Sequence, residues 1–394
     1  MRALRLVYLA LGAATAALNP FITVILAQRG MSPGEIGTVG AIGACALIGA
    51  IGWWGHMGDR VLGRRRTLQV CCVVAIGIAL AIAMPVPRPL LGALVVAFGC
   101  SQGVLLALAD SLAVNAVANA QRDYGSIRLL ASLSFAITSI AVGFVYDRLG
   151  YGIASVAYVV FALALAVGAF GIPERGRERG AADRSKRRRS IRLGSTGAAL
   201  QHEPQLLPIL LAVAVTWSAV IVSFNFLSLR IVGLGGQASD VAMSSGVSAF
   251  AEIPGMLLAA RLTARLGLRG LYGLGALLFG FAFLTWTFLT LPAAIVATRC
   301  ITGVAYGGLT VAMVVTMRQL LPEHLQATGQ TLYQGTATGI AAVAGNIAGG
   351  LLYGSAGPET LFFLCAVMCT LGGVLGFLAL PGRVRLLDPT RTEP

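Results

Sequence analysis

Charge is scarce in this chain. Only 11% of its 394 residues are Asp, Glu, Lys or Arg, where a soluble protein carries about a quarter. Hydrophobic residues reach 57% and mean hydropathy is +0.83. A soluble core cannot hide that much apolar surface, so lipid is the expected solvent. Lysine is nearly missing, with Lys186 alone against 28 Arg. No Gly-Lys pair occurs, which excludes a P-loop and a chain-intrinsic ATP pump. There are three His and no CxxC pair. The seven cysteines (45, 71, 72, 100, 300, 365 and 369) all fall in apolar runs away from histidine. They read as small packing residues, not as a disulfide or metal framework. No cofactor and no enzymatic centre is expected.

What is present is apolar length. A spanning helix needs about 20 apolar residues. Twelve such stretches occur, at roughly 5–28, 34–55, 67–86, 89–117, 125–147, 151–172, 206–232, 239–260, 270–290, 292–317, 327–353 and 359–380. The first resembles a signal peptide in its basic start, but its apolar run continues through Ile25, so it reads as an uncleaved helix. Ser32-Pro33-Gly34-Glu35 spells a capping box opening the second helix. Ala238-Ser239-Asp240 is expected to open the eighth. The fold class is thus an all-α membrane protein of twelve spans.

The net charge of +14 does not point to nucleic acid, because the basic residues sit in short breaks between apolar runs. Threading twelve spans puts twenty-three Lys and Arg on one side. Four (Arg29, Arg88, Arg148 and Arg230) fall on the other, and Arg128 and Arg299 lie within spans. By the positive-inside rule both termini are cytoplasmic, in a bacterial inner membrane. The longest break, 173–204, carries Glu174-Arg-Gly-Arg-Glu-Arg179 and Lys186-Arg-Arg-Arg189. It reads as a solvated basic linker near anionic headgroups. It divides the chain into six-helix bundles at 1–172 and 205–381, followed by a tail at 382–394.

The two halves share patterns. Tyr124-Gly125 opens a helix that ends in Gly143-Phe-Val-Tyr146 and Gly150. Thr328-Gly329 opens one that ends in Gly350-Leu-Leu-Tyr353 and Gly357. Asn19 precedes Ser32 by 13 residues, and Asn225 precedes Ser239 by 14. A parallel repeat places a substrate site between halves near the bilayer midplane.

Ionisable residues inside spans are costly and default to function. Asp110 and Arg128 lie 18 residues apart, about equidistant from a turn near Asn119. Both then sit roughly 13 Å above that turn, at matching depth, and are expected to pair. Glu252 falls mid-span before Pro254-Gly255, a pair that weakens a helix. It is a candidate proton carrier, as is Asp110. Arg299 either snorkels outward or holds an anionic substrate. Asn19, Asn225, Tyr333 and Gln334 are candidate polar lining, with helix packing an equal explanation.

Gly55-His56-Met57-Gly58-Asp59-Arg60-Val61-Leu62-Gly63-Arg64-Arg65-Arg66 resembles the major facilitator loop signature Gly-x-x-x-Asp-Arg-x-Gly-Arg-Arg, with one extra residue before Gly63. That resemblance implies a conformational latch at Gly55, Asp59, Arg60, Gly63 and Arg64, with Asp59 as its carboxylate. Leu108-Ala-Asp110-Ser-Leu-Ala113, Asp123-Tyr-Gly-Ser-Ile-Arg128-Leu129, Ala131-Ser132, Phe135 and Ala251-Glu252 are similar to the phenylpropionate permease group, allied with lactose permease and nucleoside–proton symporters. The resemblance implies that Asp110 and Arg128 match a carboxylate–arginine pair at a substrate site. The proton-carrying His and Glu of lactose permease have no counterpart near Gly303-Val-Ala-Tyr306. The Gly-x-x-x-Gly-Pro signature of drug–proton antiporters is missing from 131–143.

The expected function is proton-coupled symport of a small organic solute, an aromatic carboxylate or a nucleoside-like compound, by alternating access. A proton-driven exporter on the same fold is the alternative. The expected partners are that solute, protons and the lipid bilayer, with no nucleic acid, the chain acting as a monomer.

Overall fold

The computed structural model describes residues 2–116, 120–172 and 194–382. Asn119, the clusters Glu174–Arg179 and Lys186–Arg189, and the tail beyond 382 lie outside the described residues, as do the side chains of Asp123 and Tyr124. The described residues are all helix and turn. The spans are α1 (Arg2–Gln28), α2 (Pro33–His56), α3 (Arg64–Ala83), α4 (Arg88–Ala116), α5 (Ala120–Leu149), α6 (Ala154–Phe170) and α7 (Leu206–Gly233), then α8 (238–266), α9 (268–288), α10 (Pro292–Leu320), α11 (323–356) and α12 (358–379). By length and composition, eleven helices among the described residues can cross a membrane. The last, Glu323–Ala379, runs 57 residues. At 1.5 Å per residue that is about 85 Å, nearly three bilayer cores. It is two spans, divided where Gly357 is left-handed (φ 86°) ahead of Pro358.

The even count returns the chain to its starting face. Residues 2, 57–63, 172, 206, 267 and 382 share a terminal face, where Arg65 donates to the Ile172 carbonyl. Gly382 packs there on Gly267 and Arg269. The turns at 29–32, 84–87, 149–153, 234–237, 289–291 and 357 share the far face.

Six glycines are left-handed: Gly30, Gly63, Gly150, Gly235, Gly267 and Gly357. They fall into three pairs at equivalent turns of the two halves, after the first, second and fifth helix of each. Each demands a residue without Cβ. Two ring contacts repeat in the same way. Phe21 meets Tyr146 edge-on at 4.9 Å, and Phe226 stacks on Tyr353 at 5.3 Å. The halves are therefore pseudo-symmetric, as the repeated glycines and tyrosines anticipate.

Both expected helix starts are present. The Ser32 amide donates to Glu35 Oε2 at 2.7 Å, and the Glu35 amide donates to Ser32 Oγ at 3.3 Å. At α8 the Gln237 amide donates to Asp240 Oδ2 at 2.8 Å. Other expectations need correcting. Pro254-Gly255 does not break α8: its helix continues through both residues, and the non-helical residue is Gly267. Neighbouring helices hold Pro254 in register, since Gly255 packs directly on Val304 of α10. The stretch 56–63 is not an open loop. A π turn, Met57–Val61, extends α2, and only Gly63 leaves the helical region. The linker region also holds a short helix, Gly194–His202, because its Ala199 and Leu200 join the apolar core.

The halves meet on the far side of the midplane. Small residues allow it: a Cβ on Gly350 of α11 would lie 2.6 Å from the Pro33 carbonyl and 3.0 Å from Gly37 Cα of α2. Gly143 of α5 packs on Ser239 of α8, and Gly246 of α8 on Ala136 of α5. Hydrogen bonds cross there too. Thr23 and Ser228 hydroxyls are 2.6 Å apart. Ser139 donates to the Ala242 carbonyl at 3.0 Å, and the Ser239 amide donates to Asp147 Oδ1 at 2.9 Å.

Candidate functional site

Between the halves lies a cavity of about 710 Å³, within the range of small-molecule sites. It is lined from α1, α2, α4 and α5 on one side and from α7, α8 and α11 on the other. Its polar groups are Thr15, Asn19, Thr23, Gln102, Ser132, Asn225, Glu252 and Asn346. Neutral amides and hydroxyls dominate. Glu252 supplies the one carboxylate, and no Lys or Arg is among the lining residues.

Local backbone explains how several of these reach the cavity. Pro20 interrupts α1, which passes through a 3₁₀ turn at Asn19–Phe21 because Pro lacks the amide that would continue the ladder. Asn19 sits at that interruption. The Asn225 amide donates to Asn346 Oδ1 at 2.7 Å, fixing one amide from α7 against one from α11. Gln102 of α4 is held at both ends: it donates to Thr15 Oγ1 at 2.8 Å and accepts from Tyr158 at 2.6 Å. Gln102, Thr15 and Asn346 belong to no motif that singles them out in sequence. The available signal is the rarity of amides within apolar spans, which marks Gln102 and Asn346.

Asp110 and Arg128 meet as their spacing requires. Arg128 Nη1 is 2.8 Å from Asp110 Oδ2, and the buried Tyr8 hydroxyl donates to Asp110 Oδ1 at 2.5 Å. The pair is outside the cavity lining. Tyr8, Asp110 and Arg128 each sit three or four residues from a lining residue (Leu11, Leu106 and Ser132) on the terminal side. They therefore form a layer about one turn, roughly 5 Å, beneath the cavity. Arg128 remains 51% exposed there and Asp110 20%. Glu252 marks the cavity's terminal edge on α8, within electrostatic reach of Arg128 and of Tyr306.

Arg299, Tyr333 and Gln334 are not in the lining. Arg299 is buried inside the second half, where it donates to the Ser244 carbonyl at 3.1 Å and to Thr302 Oγ1 at 2.9 Å. Its guanidinium lies 4.4 Å from the Phe224 ring centroid and 5.8 Å from that of Trp286. It neither snorkels nor reaches the cavity, because rings and a carbonyl surround it. Tyr333 is fully buried beside Trp217. Gln334 is exposed where α11 enters a π turn, Gly335–Ile340. Asp59, in the turn that extends α2, pairs with Arg64 at the start of α3 at 3.5 Å, and Arg64 donates to the Ser111 carbonyl at 3.1 Å. Gly55 and Arg60 are exposed on that helical end. Gly63 forms its left-handed stop (φ 83°). Among the described residues no group of His, Cys, Asp and Glu is arranged to hold a metal ion.

Two pseudo-symmetric six-helix halves around a central cavity define a recognisable architecture. The sequence profile of the MFS_1 like family matches residues 1–364. The chain belongs to this family of major facilitator transporters. It is a multi-pass membrane transporter, not an enzyme. It is similar to a maltose permease of Geobacillus stearothermophilus, 27% identical over 96% of this chain and 93% of that one. It is similar to the uncharacterized transporter YwbF of Bacillus subtilis, 24% identical over 91% and 88%. Among solved structures, a point mutant of the nucleoside transporter NupG superimposes with a TM-score of 0.83 at 13% identity, over 96% of this facilitator and 98% of that chain. A D-xylose-proton symporter gives 0.70 at 15% identity, over 96% and 97%. At those identities the structural likenesses concern the fold.

Proposed function

We propose that this facilitator imports a small, neutral, hydroxyl-rich solute, a saccharide or a nucleoside, together with protons. The observation that carries the reading is the cavity lining: amides and hydroxyls from both halves, one carboxylate, and no cation. An aromatic carboxylate finds no counter-charge in that lining, and Arg128 is held one layer below by Asp110. The printed names of the relatives, a maltose permease, a nucleoside transporter and a D-xylose-proton symporter, support the same class.

Glu252 is the proposed proton carrier, because it is the cavity's carboxylate and lies in a largely apolar wall. Its protonation removes the charge that resists closure around the solute. Asp110 is the second candidate. The halves, 1–172 and 205–381, then rock as units joined by 173–204. With both termini in the cytoplasm of a bacterial inner membrane, the far-side closure described above is an inward-facing state. The chain acts as a monomer.

The test is uptake into proteoliposomes of maltose, xylose, uridine or benzoate, with and without an inward proton gradient. A neutral solute driven uphill by the gradient is expected in wild type. Glu252→Gln should lose uphill uptake yet keep solute counterflow. Gradient-driven benzoate uptake, or unimpaired uphill uptake by Glu252→Gln, contradicts the reading. Net efflux driven by protons would favour an exporter.

A further inference from the structure

Trp217 of α7 is 5% exposed, and its indole Nε1 is buried with no hydrogen-bond partner. An unpaired buried donor is costly, most of all where no water reaches it. Such a group calls for an explanation. The second half also places other rings against it. Tyr306 of α10 meets the indole edge-on at 5.4 Å, and Tyr333 of α11 at 6.3 Å. Phe224, two turns along α7, tilts against Tyr306 at 6.5 Å.

The position of this wall matters. Trp217 lies eight residues on the terminal side of the lining residue Asn225, about 12 Å along the helix. Tyr306 is only partly buried and lies within electrostatic reach of Glu252 at the cavity's edge. The wall therefore lies beneath the cavity on the second half, as the Tyr8–Asp110–Arg128 layer lies beneath it on the first.

We propose that Trp217 and Tyr306 form an exit-side subsite for the same solute, in which the indole N–H donates to a solute hydroxyl or carbonyl and the rings cover its apolar face. This rests on the hydroxyl-rich reading above. Ring faces and a lone donor suit sugars and nucleosides, whose apolar C–H or base faces lie beside polar edges. The arrangement also accounts for Tyr333 by its place in the wall.

The test is Trp217→Phe, which removes the N–H and keeps an aromatic ring. Purified wild type and variant are titrated with maltose, xylose, uridine and adenosine, following the thermal shift. The ligand-free variant should still unfold in one transition, a few degrees lower because Phe fills less of the buried indole's volume, so affinity is compared at temperatures where both are folded. Its Kd for the solute that shifts wild type should rise about five- to tenfold, the loss of one hydrogen bond. An unchanged Kd overturns the subsite while leaving the solute class intact. No shift of wild type by any of the four overturns both. As a second readout, Trp53, Trp54 and Trp286 are replaced by Phe, leaving Trp217 as the sole indole. The solute should then change its emission, and unchanged emission at saturation also overturns the subsite.

Discussion

At the scale of single residues, the two arginines within spans have opposite settings. Arg128 is half exposed and bound to a carboxylate. Arg299 is buried and held by a carbonyl, a hydroxyl and two ring faces. Cation–π contacts are worth about 2 kcal/mol or more when desolvated. Arg299→Ala should therefore lower the melting temperature by several degrees and leave solute affinity unchanged, as read by thermal shift with and without solute. Arg128→Lys keeps the charge but loses the planar fork. It should cut uptake at least tenfold with little change in melting temperature, and wild-type uptake would remove Arg128 from the transport path. Sequence distinguishes these residues only partly. The Asp110–Arg128 pair is legible because equal distances from one turn give equal depth. The setting of Arg299 is not, because spacing gives depth but not the side of the helix. Glu252 stands out as a lone carboxylate in an apolar run. Gln102 and Asn346 do not, because their meaning comes from Tyr158, Thr15 and Asn225, which are distant in sequence.

At the scale of helices, the α5–α8 contact is the most specific piece of the far-side closure. Asp147 accepts the Ser239 amide at the first turn of α8, where the helix dipole favours negative charge. Being contributed by the opposite half, this cap must break when the far face opens. Asp147→Ala should shift the population toward far-face opening, read as a longer spin-label distance between the ends of α5 and α8. Shape reinforces the contact, since Gly143 and Gly246 leave no room for larger residues. Helix identity and count are legible because apolar length is a strong signal. Interruptions are less so. Pro20 and Pro254 look alike in sequence, yet only the former sits within a 3₁₀ turn, while the latter stays in a continuous helix. The outcome depends on what packs alongside, which sequence does not display.

For the whole molecule, closure and exposure divide by face. Cross-half hydrogen bonds at Thr23–Ser228, Ser139–Ala242 and Asp147–Ser239 lie on the far side, while Arg128 and Gln334 remain open toward the terminal side. A cysteine pair at Thr23 and Ser228 should oxidise readily, because those hydroxyls are 2.6 Å apart. Oxidation should stop uptake and a reductant restore it. Unimpaired uptake after full cross-linking would show that this contact need not open.

The far-side closure also has a pharmacological consequence. A competitive blocker supplied to the far face meets packed glycines and must wait for a rarer arrangement. One supplied to the terminal face finds its approach to the charged layer already open. Potency measured on whole cells and on inside-out vesicles should therefore differ for the same compound, and permeability through the bilayer becomes part of any inhibitor's specification.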